Sequence, residues 1–134
     1  MATRSTIWIK KDNGNYDGIY CHWDGYLDNN GKILIENYQD VGKIKGLIEL
    51  GSLSSLDEEI DCPTGHSYES LKRGCCVAYH RDRDEDLSIY RDITFDKIEK
   101  YFEEYNYFYI DGEWKYTKSN KNELKDVAED LKNM

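Results

Sequence analysis

A chain of 134 residues with 27 acidic against 18 basic side chains carries a formal net charge of -9. That length predicts one domain with enough buried surface for a core, and 39% hydrophobic residues with a single proline exclude a disordered chain. The acid excess excludes a broad phosphate-backbone binder, which needs a basic field, but not an acidic protein that imitates nucleic acid or meets a basic partner.

Only Ile7, Trp8 and Ile9 form a large apolar run ahead of Lys10 and Lys11, too little for the core of a signal peptide. No apolar stretch approaches the ~20 residues of a membrane-spanning helix. The expectation is a soluble, non-exported protein whose four cysteines, Cys21, Cys62, Cys75 and Cys76, stay reduced rather than forming a disulfide framework.

Residues 6–10 and 18–23 read as strands around the turn formers Asp12, Asn13, Gly14 and Asn15. In such a strand Ile19, Cys21 and Trp23 share a face, with Tyr20 and His22 on the other. Residues 24–30 read as loop. Residues 32–38 fit a strand or a short helix, and helix is favoured. Asp40 then caps a helix with Val41, Ile44, Leu47 and Ile48 on its apolar face and Gly51 just past its end. Residues 52–73 read mostly as loop.

Residues 75–79 and 87–90 read as short strands, paired as a hairpin with the charged run 81–86 at its tip. Thr94 is placed to cap a helix carrying Phe95, Ile98, Tyr101, Phe102 and Tyr105 along one stripe. Residues 107–117 form a hairpin about Asp111-Gly112, which pairs Tyr109 with Trp114 and Tyr107 with Tyr116. Asn120 with Glu123 resembles a capping box for a last helix bearing Leu124, Val127, Ala128 and Leu131. The predicted class is α+β, a single domain over residues 1–134 with an antiparallel sheet and helices packed on it.

Two Cys-x₃-His pairs, Cys62 with His66 and Cys76 with His80, offer four ligands suited to tetrahedral zinc. On a strand Cys76 and His80 lie roughly 13 Å apart, so zinc needs a bend there; buried thiols and surface imidazoles are the favoured reading. Cys75 and Cys76, adjacent and therefore on opposite faces, make a poor redox pair. Residues 19–26 gather His22 as a candidate acid or base, Asp24 to orient it, and Trp23 and Tyr26 to stack on a planar ligand, against a plain reading as a strand end and turn.

Acids concentrate at Asp57, Glu58, Glu59 and Asp61, and again in the run Arg81, Asp82, Arg83, Asp84, Glu85, Asp86. That run lacks the glycine-centred spacing of an EF-hand. Its arginines could grip a carboxylate or phosphate, and its simplest reading is a solvated, self-neutralising loop. The aromatic hairpin is read as core, with any uncovered part available to a partner.

Four segments, residues 1–5 (MATRS), 19–26 (IYCHWDGY), 50–56 (LGSLSSL) and 78–83 (AYHRDR), together resemble a group of small bacteriophage- and prophage-encoded proteins. The likeness spans about the first two-thirds of the chain and brings no reaction with it. The chain departs from the group at Cys75 and Cys76, and at His80, where the group often has glycine, so a zinc site would be particular to this chain. The resemblance implies a phage accessory protein in the cytoplasm of the bacterial host.

The expected function is therefore non-enzymatic: binding and inhibiting a host protein, as an anti-CRISPR or anti-restriction type of factor, through the acidic residues at 57–61 and the run 81–86. The partner expected is a host bacterial protein, such as one with a basic nucleic-acid-binding groove. No cofactor, direct nucleic-acid contact or membrane is expected. The alternative is a small-ligand or nucleotide-binding protein, a sponge or small enzyme, with its pocket around His22, Trp23, Asp24 and Tyr26 and with Arg81 or Arg83 on phosphate.

Overall fold

Strand β1, Ser5–Lys10, is buried at five of its six positions and lies at the centre of the sheet in the computed structural model, which describes residues 2–67 and 69–134. Met1, in the first segment of the resemblance, and Tyr68, in the predicted 52–73 loop, lie outside the described residues. Strand β2, Tyr16–Cys21, pairs antiparallel with β1 across the Lys11–Asn15 turn, placing Ile7 opposite Ile19.

A π-helical turn, Leu27–Gly31, leads into α1, Lys32–Asn37, and then α2, Val41–Glu49. Asp40 caps α2 as expected, its carboxylate accepting the Lys43 N–H at 2.9 Å. Strands β3, Leu53–Ser55, and β4, Val77–Ala78, pair with each other, and β3 runs parallel beside the end of β2. Helix α3, Tyr79–Arg83, follows directly, and β5, Tyr90–Ile93, returns to pair with β2.

Strand β6, Tyr105–Ile110, then runs parallel to β1 and forms a hairpin with β7, Glu113–Thr117. The short β8, Lys125–Asp126, and α4, Val127–Lys132, complete the chain. Among the described residues the sheet has eight strands in the order β4-β3-β2-β1-β6-β7-β8, with β5 on β2. The α+β class is as predicted, but the sheet is mixed, because β1–β6 and β2–β3 are parallel.

Alternation along the strands loads both faces. Ile7, Ile9, Ile19, Cys21, Tyr107, Tyr109, Trp114 and Tyr116 face the apolar sides of α1, α2 and α4. Trp8, Tyr16 and Phe108 point the other way and are covered by Ile98, with Tyr90, Phe95, Tyr101, Phe102 and Leu124 packed around them. The hairpin register is the predicted one, Tyr109 opposite Trp114 and Tyr107 opposite Tyr116. Positive φ at Asp111 and Gly112 gives the turn its primed twist. Both faces of the hairpin are core.

Several predicted elements are different in the structure. The proposed helix from Thr94 is a single 3₁₀ turn, Ile98–Tyr101. Of its predicted stripe Ile98 is buried, Phe95, Tyr101 and Phe102 are half-buried beside it, and Tyr105 packs on the opposite face. The backbone beyond it is captured: the Asn106 side chain binds Glu103 N–H and C=O, and Tyr105 N–H donates to Arg4 C=O. The last helix starts at Val127 with Asp126 as its cap, because Leu124 and Val127 belong to opposite faces of the sheet and one helical stripe cannot serve both. Residues 75–79 and 87–90 do not form a hairpin, since β4 takes β3 as partner and β5 takes β2. Strand β2 ends at Cys21, and Trp23 leaves the core face at 43% exposure. The chain turns there through Asp24 at φ 55 and the Gly25 N–H bond to Thr3 C=O.

Gly18 stands opposite Trp8 in the register, and a Cβ at Gly18 would fall inside the indole. Gly18→Ala is expected to destabilise the protein by about 1–3 kcal/mol through overpacking, measured by denaturant unfolding; an unchanged midpoint would contradict this packing.

Candidate functional site

Some of the residues that carried functional expectations, Cys62, Arg81 and Asp82 among them, meet at the β3–β4 edge of the sheet around the Arg81 side chain. Arg81, on the exposed side of α3, donates to Ile60 C=O at 2.6 Å and to Cys76 C=O at 2.7 Å. It also holds both oxygens of Asp82, at 2.9 and 3.0 Å, and approaches Cys62 Sγ at 3.2 Å. Through these bonds the segment around Ile60 is tied to α3, although the two are about twenty residues apart in sequence.

Glu58, Glu59 and Asp61 are exposed on one of the joined segments, and Arg83, Asp84, Glu85 and Asp86 on the other. Arg83 pairs with Glu85 at 3.3 Å. The remaining candidates are structural. Asp57 is half-buried and its carboxylate accepts the Glu58 N–H. Arg81 is spent on the bonds just described. The Asp82 side chain is only 5% exposed. The run is thus neither uniformly solvated nor uniformly available.

Asp82 is enclosed because its carboxylate accepts the Ala78 N–H at 2.8 Å, closing the first turn of α3. Burial by itself would raise its pKa, but the bonds from Arg81 and Ala78 N–H, with the His66 ring close by, outweigh that and hold it below the ordinary 3.8. His66 Nε2 lies 3.2 Å from Asp82 Oδ2, on a side chain 4% exposed, yet off the line a hydrogen bond needs, so it is buried without one. Its Nδ1 accepts the Lys72 N–H at 3.1 Å and lies 3.8 Å from Cys75 Sγ.

Cys75 is joined to Cys62 by a disulfide, with Cα atoms 5.3 Å apart, in place of the fully reduced set expected. Cys21 and Cys76 are free and buried. Burial pushes the Cys21 thiol up to about 12 and raises Cys76 as well, so neither is a thiolate nucleophile.

The candidate zinc set Cys62, His66, Cys76 and His80, which the sequence did not favour, is not assembled. Cys76 Sγ points inward to Tyr38 OH at 3.4 Å, and exposed His80 pairs its Nδ1 with Glu85 C=O at 2.7 Å. The group that does converge is Cys62, His66 and Cys75. Strand alternation implied that only one of Cys75 and Cys76 could face His66, but which one was set by the pairing of residue 59 with 75 and 76.

The residues of the other proposed pocket are half-buried or exposed and follow β2. His22 Nδ1 pairs with Tyr20 OH at 2.7 Å, Trp23 packs edge-on against His22, and Trp23 and Tyr26 are 43% and 38% exposed. Asp24 is an exposed turn residue. None of these four lines the cleft of about 860 Å³ between the β1–β2 turn and α2 or the one of about 550 Å³ between α1 and α4. The larger cleft carries Lys10, Lys11 and Lys45 beside Asp12, Asp17, Glu49 and Asp111, a mixed lining in which Lys11 is already paired with Asp17 and Asp92. Comparison with protein-family models, curated proteins and solved structures finds no match for the chain.

The ionised Asp82 carboxylate stabilises the fold fully above its ordinary value of 3.8, and that contribution is lost as pH falls through its lower folded value. Asp82→Asn is expected to lower the unfolding midpoint at neutral pH, with the gap to wild type closing as pH drops below 3.8. A gap independent of pH, in denaturant titrations from neutral to acid conditions, would refute this role.

Proposed function

We propose that this chain is a non-enzymatic accessory protein of bacteriophage origin that binds a host protein in the bacterial cytoplasm through an acidic surface, as a counter-defence factor does. The observation that carries the reading is the Arg81 bridge. By fastening the segment around Ile60 to α3 it makes neighbours of two acidic stretches distant in sequence, and leaves Glu58, Glu59, Asp61, Asp84, Glu85 and Asp86 exposed.

Arg81 neutralises Asp82 beneath the surface rather than the acids on it, and of the outward residues Glu85 alone is described in an ion pair, with Arg83, so the group keeps a net negative field. Such a field speeds encounter with a basic surface and selects against acidic ones, and it is screened by salt. A partner with a basic nucleic-acid-binding groove fits that chemistry. Among the described residues no helix is long and apolar enough to cross a membrane. The small-ligand alternative lacks support because its four residues share no described cleft.

Affinity purification from host lysate at low salt should retain a basic partner on the wild-type chain. The purified partner should associate about 10-fold or more slowly at high ionic strength. The combined change Glu58→Lys, Glu59→Lys, Asp84→Lys and Glu85→Lys should abolish retention, whereas Glu123→Lys with Glu129→Lys should not. No partner at low salt, or equal retention by the fourfold variant, would reject the proposal.

A further inference from the structure

We infer that Cys62, Cys75 and His66 form a binding site for a zinc-like divalent cation once the Cys62–Cys75 bond is reduced. One ligand atom from each of the three residues lies within 4.8 Å of the others, on side chains that are buried or half-buried. Two sulfurs and an imidazole are the donor set that soft and borderline cations prefer to oxygen clusters. In a tetrahedral zinc site, with Zn–S about 2.3 Å and Zn–N about 2.0 Å, a nitrogen–sulfur edge is about 3.5 Å. His66 Nδ1 is already 3.8 Å from Cys75 Sγ.

The second ring nitrogen strengthens the assignment. A metal-bound imidazole ordinarily donates its other N–H to a carboxylate, which fixes the ring and raises its basicity. His66 Nε2 is buried without a hydrogen bond, 3.2 Å from Asp82 Oδ2. A small turn of the ring toward a cation at Nδ1 would complete that bond, in exchange for the Lys72 N–H contact, which is released at an exposed residue. Asp82 is itself held by Arg81 and Ala78 N–H, so the carboxylate is fixed before a metal arrives.

Arg81 Nη2, 3.2 Å from Cys62 Sγ, supplies positive charge next to a sulfur that must ionise. Cys62 is half-buried, beside exposed Asp61 and Pro63, so solvent water can take the fourth position. The chemistry balances in two steps. A dithiol reductant transfers two electrons and two protons to the Cys62–Cys75 bond, leaving two thiols and becoming a disulfide itself. The cation then replaces both thiol protons, which pass to solvent, and accepts a lone pair from each thiolate and from His66 Nδ1.

The inference is independent of partner binding and is tested with metal alone. Tag-free protein, reduced with a phosphine and freed of it anaerobically, is titrated with Co²⁺ and then Zn²⁺. The expected result is one equivalent of Co²⁺ with thiolate charge-transfer and tetrahedral d–d absorption, displaced by Zn²⁺, and none bound by oxidised protein. Asp82→Asn should weaken binding about 10-fold or more, and Cys75→Ser and His66→Gln at least as much.

Cys76→Ala, which removes the sulfur directed at Tyr38, should leave stoichiometry and absorption intact. Far-UV circular dichroism and a thermal transition confirm that each variant is folded, with His66→Gln carrying the test if Cys75→Ser is not. Substoichiometric cobalt in the reduced wild type, or unchanged affinity in folded His66→Gln, would overturn the inference and leave Cys62–Cys75 a structural crosslink.

Discussion

The buried hydrogen-bond network around Asn106 is the constraint on which the rest of the fold depends. Thr6 Oγ1 donates to Asn106 Oδ1 at 2.6 Å and accepts from Trp8 Nε1 at 2.7 Å, joining strands one hundred residues apart. The Asn106 amide group donates to Glu103, Thr117 and Lys118 carbonyls, and its oxygen also accepts the Glu103 N–H. A buried network is stabilising when its members are satisfied and costly when they are not. Because a slip of one residue would reverse every side chain on the strand, this network sets which aromatics enter which core.

From that register follows the two-sided sheet. Tyr107 and Tyr109 reach the helices, and their hydroxyls end on Gly25 and Gln39 carbonyls. Trp114 Nε1 donates to Tyr38 C=O at 2.8 Å. The polar tips of large aromatics thus terminate backbone groups between the helices and the sheet, which lets tyrosine serve as core without leaving its oxygen unpaired. On the opposite face Trp8 stacks with Phe108 and Tyr90 under only a 3₁₀ turn and β5, a thin cover suited to flat rings.

The candidate site occupies the far edge, where β3 and β4 are too short to order the chain by strand pairing alone. Side chains take over. Arg81 ends five backbone and side-chain acceptor atoms, the Cys62–Cys75 bond closes the loop beneath it, and Asp82 brings α3 against His66. The same ties that compensate for weak secondary structure hold the acidic stretches together and gather the sulfur and imidazole ligands. Scaffold and candidate chemistry at this edge are one set of residues.

The sequence by itself determined what is local. Asp111-Gly112 dictated the turn and register of the last hairpin and Asp40 the start of α2, because each depends on neighbours within a few residues. Only the tertiary structure decided that the stripe from Phe95 to Tyr105 would not be helical, that β1 would pair in parallel with β6, and that Cys75 rather than Cys76 would meet Cys62 and His66. Those outcomes rest largely on contacts between residues distant in sequence, where the energy of a buried amide network or a strand partner exceeds the small local preferences that periodicity reports. The charge of -9 could be counted from the sequence, but the Arg81 bonds that tie the segment around Ile60 to α3 are visible only in the folded chain.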